Sequence, residues 1–228
     1  MVEKKIIIIG AGGHGIEVNA YLDDLIRQGA RIRRVGFIDE EKPKGPFGGS
    51  VILGDLRDLN AMLQVPGTDF HYMTAVGDND GRRRLVERIE EIHTGNLHAW
   101  TLRHPLAYVG QEVQIGEGTC LAPGSLVTAN VSLGRHCIIN IKVSISHECI
   151  IGDFVDVNPG AVICGNVRIG DGCFIGAGAT IIDKVTIGEG TVIGAGAVVT
   201  QNIPAQVTAV GVPARVIKRH RISHPLLR

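Results

Sequence analysis

The chain carries no net charge: 23 lysines and arginines balance 23 aspartates and glutamates, and the isoelectric point lies near 7.1. A surface that binds nucleic acid announces itself as a basic excess, and here that excess is missing. Also missing is any apolar run near the roughly 18 residues that cross a membrane. The opening Met1-Val2-Glu3-Lys4-Lys5, followed by four isoleucines, lacks the long apolar region and cleavage site of a secretory leader. No nucleic acid or membrane is therefore expected as partner, and a cytoplasmic protein is expected. Between Val109 and Pro204 only His136 and His147 offer imidazoles. They fall on different faces of the pattern described next, so no metal set is expected. Of the five cysteines, Cys137, Cys149 and Cys173 take the small inward position of that pattern; Cys137 and Cys173 stand two coils apart, roughly 9–10 Å and beyond bridging distance, and a core-packing role in a reducing compartment is expected.

What the sequence does have is a period of six. An aliphatic residue returns at every sixth position from Val109 through Leu121, Ile139, Ile151, Ile163, Ile175 and Ile187 to Val199, without a break. Four residues after each stands a small or medium side chain, such as Ser125, Cys137, Val143, Ala161 or Ala179. Six matches neither the 3.6 of a helix nor the 2 of an ordinary strand, so the segment is a repeat architecture. The physical solution is a parallel β-helix with three short strands per coil. The aliphatic residue points inward from each face, the smaller one fills the corner, and glycine permits the turn. Residues 18 apart then stack on neighbouring coils about 4.8 Å apart.

The first hundred residues follow another pattern. Residues 4–9 form an apolar strand, and Gly10-Ala11-Gly12-Gly13-His14-Gly15 follows at once. A helix comes next, with Ile16, Ala20 and Leu25 or Ile26 at helical spacing. A second strand, Val35 to Ile38, ends on Asp39-Glu40. Strand, glycine turn, helix, strand and acidic residue together form the unit that places a pyrophosphate at a helix N-terminus. The absence of a second half-unit favours a nucleotide-diphosphate ligand over a dinucleotide. His14 would face that ligand, or alternatively cap the helix. Lys42 to Gly49 reads as a loop, Val51 to Gly54 as a strand, Asp55 to Gln64 as a helix capped by Asp55, and His71 to Val76 as a strand. The polar turn Gly77-Asp78-Asn79 at its end is placed where open α/β sheets bind ligands. The run Arg82-Arg83-Arg84 reads as a solvated helix start or a local phosphate contact. His104-Pro105 marks a junction, with the boundary near residues 96–108. The expected layout is an α/β half-Rossmann domain over residues 1–100, a parallel β-helix over 101–204, and a C-terminal strand and tail over 205–228.

Within the coils, His147 falls at a corner, Glu148 beside it, and Gly165 one coil above. Base, orienter and a glycine N–H for a developing oxyanion is one reading of that arrangement, with a solvent-facing polar corner as the other.

The motifs Gly10 to Gly15, Gly36-Phe37-Ile38-Asp39, Ala75-Val76-Gly77-Asp78-Asn79, Ser146-His147-Glu148-Cys149, Gly165-Asn166-Val167 and Gly211-Val212-Pro213-Ala214 occur in this order. In that combination the chain resembles the left-handed β-helix, hexapeptide-repeat acyltransferases that N-acetylate nucleotide-activated amino sugars. That group includes bacterial UDP-4-amino-sugar and GDP-perosamine acetyltransferases. The resemblance implies a left-handed helix, a homotrimer with sites between adjacent subunits, acetyl-CoA as acyl donor without a metal, and a nucleotide-linked amino sugar as acceptor. It implies His147 as general base, Glu148 as its orienter and Gly165 as the N–H facing the thioester carbonyl. It further implies Gly12, Gly13, His14, Asp39, Gly77, Asn79 and Asn140 as substrate contacts, with Asp156, Gly165, Ala177 and Ala195 beside the coenzyme. Many relatives carry a second histidine nine residues after the base, where this chain has Asp156. Rival readings are an O-acetyltransferase of the sialic-acid type, a non-catalytic nucleotide-binding trimeric scaffold, and a nicotinamide oxidoreductase.

Overall fold

The computed structural model describes residues 3–92 and 95–220. They separate into two compact units: one runs up to Pro105 and takes in Glu117–Cys120, and the other comprises Leu106–Gly116 and the chain from Leu121 onward.

The first unit is built on a six-stranded sheet. In chain order its elements are β1 (Lys4–Ile9), α1 (Gly13–Arg27), β2 (Ile32–Ile38), β3 (Gly45–Phe47), β4 (Ser50–Gly54), α2 (Leu56–Leu63), β5 (Phe70–Thr74), α3 (Asn79–Ile92) and β6 (Leu97–Ala99). The strand order is β3-β4-β2-β1-β5-β6, parallel except for the antiparallel β3–β4 pair. Strand β1 lies between β2 and β5, and Ile6, Ile7, Ile8 and Ile9 are all buried. A continuous apolar run of this kind is the mark of a strand covered on both faces. Helix α2 begins as expected: the Asp55 side chain accepts from the Arg57 and Asp58 N–H groups, and Asp58 returns a bond to the Asp55 N–H.

Two expectations need correction. The buried face of α1 is Gly15, Val18, Asn19 and Leu22, whereas Ile16 and Ile26 are 48% and 39% exposed and Ala20 faces outward. The rotation is set at the first turn, where Gly15 packs so tightly on the Gly10 carbonyl that a Cβ would overlap it. One turn later the buried Asn19 donates to the Gly48 carbonyl at 2.8 Å. The segment read as a loop, Lys42–Gly49, also contains β3, which forms a tight hairpin with β4.

In the second unit each hexad supplies one two-residue strand, and the strands stack in three parallel sheets. One face runs from Tyr108–Val109 through Leu126–Val127, Ser144–Ile145, Val162–Ile163 and Thr180–Ile181 to Val198–Val199. The next runs from Gln114–Ile115 to Thr186–Ile187, and the third carries Ile138–Ile139, Asp156–Val157, Phe174–Ile175 and Val192–Ile193. Every partner is 18 residues away: Val127 pairs with Ile145, Ile151 with Ile169 and Val157 with Ile175. The second residue of each strand points in, and with the corner residues it forms one continuous core. Cys137, Cys149 and Cys173 are free thiols at such corners, fully buried. Each reaches a carbonyl on the next coil, at Gly152, Cys164 and Gly188 respectively. Burial pushes the Cys173 thiol up to about 12, so it packs as a small apolar group. The segment expected as a separate C-terminal strand and tail supplies two further strands, Val207–Val210 and Arg215–Arg219, to the third face. Residues 221–228 lie outside those described.

Candidate active site

In the first unit a cleft of about 480 Å³ opens at the carboxyl ends of the central strands. Gly12, Gly13 and His14 from the start of α1, Asp39 after β2, and Val76 and Gly77 after β5 contribute to its lining. Gly12 is the N-cap of α1, and the first amide of the helix with an intrahelical acceptor is that of Ile16, bonded to the Gly12 carbonyl. The amides before it are left to face an anion, as helix geometry requires. His14 makes no capping bond. Its Nδ1 lies 3.0 Å from Glu17 Oε2, and its Nε2 is buried without a partner among the described residues. That hydrogen bond holds the Glu17 carboxyl below the usual carboxylate range, against its partial burial. An unsatisfied ring nitrogen on a cleft wall asks for a polar group from a ligand.

Asp39 has a second task beyond lining the cleft. One oxygen accepts from the Ala11 N–H at 2.7 Å, and the other from the Glu41 and Lys42 N–H groups at 3.1 and 3.0 Å. Partial burial works to raise its pKa, yet these three amides bring it below the ordinary carboxylate value. Asp39 therefore ties the glycine turn to the end of β2. Asn79 opens helix α3 and does not line the cleft. Arg82 departs furthest from expectation. It is fully buried rather than solvated, and its guanidinium donates to the Val76 carbonyl at 2.7 Å behind the cleft wall.

The second constellation stands on the β-helix, at the corner after Ile145. His147 Nδ1 lies 2.9 Å from Glu148 Oε2, with the two side chains 59% and 54% exposed. The same carboxylate oxygen accepts from Asn166 Nδ2 at 3.2 Å, and the Asn166 N–H donates to the His147 carbonyl. These bonds, His147 first and Asn166 second, hold the Glu148 carboxyl below its usual range. Gly165 forms the floor: a Cβ there would stand 2.6 Å from His147 Cε1 and 2.7 Å from Nε2. The ring therefore lies flat against a bare Cα, with Nδ1 engaged and Nε2 directed away from the carboxylate. The Gly165 N–H donates to no acceptor among the described residues.

Sequence spacing thus located His147, Glu148 and Gly165 together, and missed Asn166 as the fourth member. Asn140 does not join them within one chain. It sits at the corner after Ile139, and its Oδ1 accepts from the Ile141 N–H at 2.7 Å. Ala177 and Ala195 project from that same corner on later coils, both exposed. Asp156 is not a surface anion: it is only 4% exposed, in the strand between Ile138 and Phe174. No group of three or more metal-ligating side chains assembles among the described residues.

Comparison with known proteins finds relatives of both units. Residues 5–89 match the PglD N-terminal domain, and residues 166–201 match the bacterial transferase hexapeptide (six repeats). GDP-perosamine N-acetyltransferase of Escherichia coli O157:H7 is 34% identical over 219 residues, covering 93% of this chain and 96% of that one. Among solved structures, a histidine-to-asparagine variant of perosamine N-acetyltransferase from Caulobacter crescentus, in complex with CoA and GDP-perosamine, superposes with a TM-score of 0.83 at 31% identity. The match covers 93% of this chain and 96% of that one. The acetyltransferase domain of PglB from Neisseria gonorrhoeae FA1090, in complex with acetyl coenzyme A, gives a TM-score of 0.81 at 30% identity, over 94% and 100% of the two chains.

Proposed function

The chain belongs to the hexapeptide-repeat N-acetyltransferases of nucleotide-linked amino sugars, and from that premise we propose the residues that carry out its reaction. The enzyme transfers the acetyl group of acetyl-CoA to the amine of a nucleotide-activated amino-deoxy sugar. The observation that carries the assignment is the His147–Glu148 pair lying on Gly165. With Nδ1 held by a carboxylate, Nε2 is the nitrogen left to accept a proton. The sugar nitrogen attacks the thioester carbonyl carbon, the carbon–sulfur bond breaks, and CoA leaves as the thiolate. His147 takes the proton that the nitrogen loses and returns it to the thiolate, while Glu148 stabilises the imidazolium in between. The Gly165 N–H faces the oxygen on which charge develops.

The glycine turn of the first unit receives the nucleotide diphosphate, with His14 Nε2 on a hydroxyl or phosphate oxygen of the same ligand. Asn140, Ala177 and Ala195 belong to a different corner from His147, so one chain holds two partial sites. Between those corners lies the face of Tyr108, Leu126 and Val162, which are 57%, 45% and 39% exposed. A second copy packed on this apolar column would bring one corner of its helix against this chain's other corner. That supports a homotrimer with three composite sites, in which the acyl donor lies along the small residues of one chain beside the histidine of the next. We place the reaction in the cytoplasm, where acetyl-CoA and nucleotide sugars are supplied.

The test is a panel of UDP-, GDP- and dTDP-amino sugars and their hydroxy counterparts, with thiol release and product mass as readouts. His147→Ala is expected to lower turnover by roughly 10²–10⁴-fold while leaving nucleotide-sugar binding in place. Near-normal turnover in that variant would remove His147 from the role.

A further inference from the structure

The hydrogen bonds at the corner run in a closed pattern. Glu148 Oε2 accepts from His147 Nδ1 at 2.9 Å and from Asn166 Nδ2 at 3.2 Å, and the Asn166 N–H donates back to the His147 carbonyl at 2.9 Å. Glu148 and Asn166 occupy equivalent places on successive coils, both in the left-handed region with φ of 61°. Asparagine adopts that region at low cost and glutamate does not, so the glutamate stands where its backbone is under mild strain. More than half of the Glu148 side chain is open to solvent. A carboxylate so exposed, on a flexible stem, holds one rotamer only if something besides the imidazole grips it.

We infer that Asn166 is a positioning residue: it clamps the Glu148 carboxylate onto His147 Nδ1 and so fixes the direction of Nε2. The inference rests on His147 being the base. One coil thereby supplies both supports of the dyad, Gly165 beneath the ring and Asn166 behind the carboxylate. The other titratable groups near this corner are the thiols of Cys149 and Cys164 and, one coil on, exposed Asp183 and Lys184. Of the groups described around it, only Asn166 and His147 hydrogen-bond the Glu148 carboxylate.

Two variants separate positioning from mere support. Asn166→Gly keeps the left-handed backbone and deletes the amide, leaving Glu148 loose. Its kcat should fall about 10-fold, in the range seen when outer partners of a functional histidine are removed, with both KM values unchanged. The acid limb of its kcat/KM profile should move to lower pH, because the imidazolium loses its best-placed counter-ion. Asn166→Asp preserves shape but adds a carboxylate, and its acid limb should move to higher pH. Opposite displacements in two variants of parent-like thermal stability are not produced by general loosening. The ¹⁵N shifts of the His147 ring, read without substrate, should show the Nδ1–H tautomer in the parent and a mixture in Asn166→Gly. Parent-like kcat and unmoved limbs in both variants, with an unchanged tautomer, would overturn the inference and leave His147 as base. A normally active His147→Ala enzyme would instead remove the reading on which it rests.

Discussion

His147 and Gly165 are neighbours because they are 18 residues apart, one full coil. The imidazole rests where a side chain on Gly165 would have to be, with its Cε1 2.6 Å from the position of a Cβ. The backbone at Gly165 is not left-handed, so the requirement for glycine there is one of space alone. Gly165→Ala should therefore fold normally, because the displaced ring is largely exposed and can swing into solvent. Its turnover should fall by about 10²-fold, the usual cost of moving a reacting group by about 1 Å. Unchanged thermal unfolding with collapsed kcat is the expected pair of results. A variant that keeps full activity would show that the ring need not lie on this floor.

The apolar column of the second unit gives a prediction about assembly. Leu126 is 45% exposed, with Tyr108 on the strand to one side of it and, on the other, Val162 one strand beyond Ser144. Leu126→Glu would set a carboxylate into the proposed contact between copies, at a desolvation cost of several kcal/mol per buried charge. Light scattering should then report a smaller particle than the parent, for which a trimer is proposed, and acyl transfer should be lost with the proposed composite site. Nucleotide binding, proposed for the first unit, should persist. An assembly of unchanged mass would place the contact on another face.

Asp39 links the glycine turn to pH. Its carboxyl is depressed, so its contribution to stability is fully present above the unfolded carboxylate value near 3.9 and is lost as pH falls through the lower folded value. Asp39→Ala leaves the Ala11, Glu41 and Lys42 amides without their acceptor and should destabilise the first unit by about 1–3 kcal/mol at pH 7. The deficit should shrink as the parent is brought into acid, and nucleotide affinity should fall with it. Chemical unfolding of parent and variant at pH 7 and pH 3 checks both. An equal deficit at the two values would mean that the charge is not what ties the turn.

How much of this was legible beforehand depended on the period. In the β-helix a strict repeat of six fixes which residues point inward and which coils stack, so Ile145, Cys149, His147 and Gly165 could be placed from their numbers. The same register also holds Asn166 over Glu148, 18 residues away, though an asparagine's amide alone does not reveal which neighbour it will bond. In the first unit no such rule applies. The apolar residues of α1 suggested a face through Ile16 and Ile26, but the close approach of Gly15 to Gly10 turns the helix elsewhere, and tertiary packing overrides pattern. Arg82 was hidden for a related reason: charge predicts exposure, unless a strand end presents a carbonyl that only a long donor can reach.

That buried arginine carries the last prediction. Arg82 is 0% exposed and its guanidinium satisfies the Val76 carbonyl, while Val76 itself lines the cleft of the first unit. Replacing it by leucine removes the donor and buries the carbonyl unpaired, which should cost about 1–3 kcal/mol. Arg84→Ala, on the exposed side of the same helix, should lie within about 0.5 kcal/mol of the parent. The single tryptophan, Trp100, lies in the first unit beside β5, where its backbone N–H donates to the Tyr72 carbonyl. Its fluorescence during urea unfolding therefore reports this unit directly. Arg82→Leu should shift the tryptophan transition to lower urea and weaken nucleotide binding in step, since Arg82 braces a wall of the proposed nucleotide site. If the variant loses stability but binds nucleotide as tightly as the parent, the arginine supports the fold without shaping the cleft.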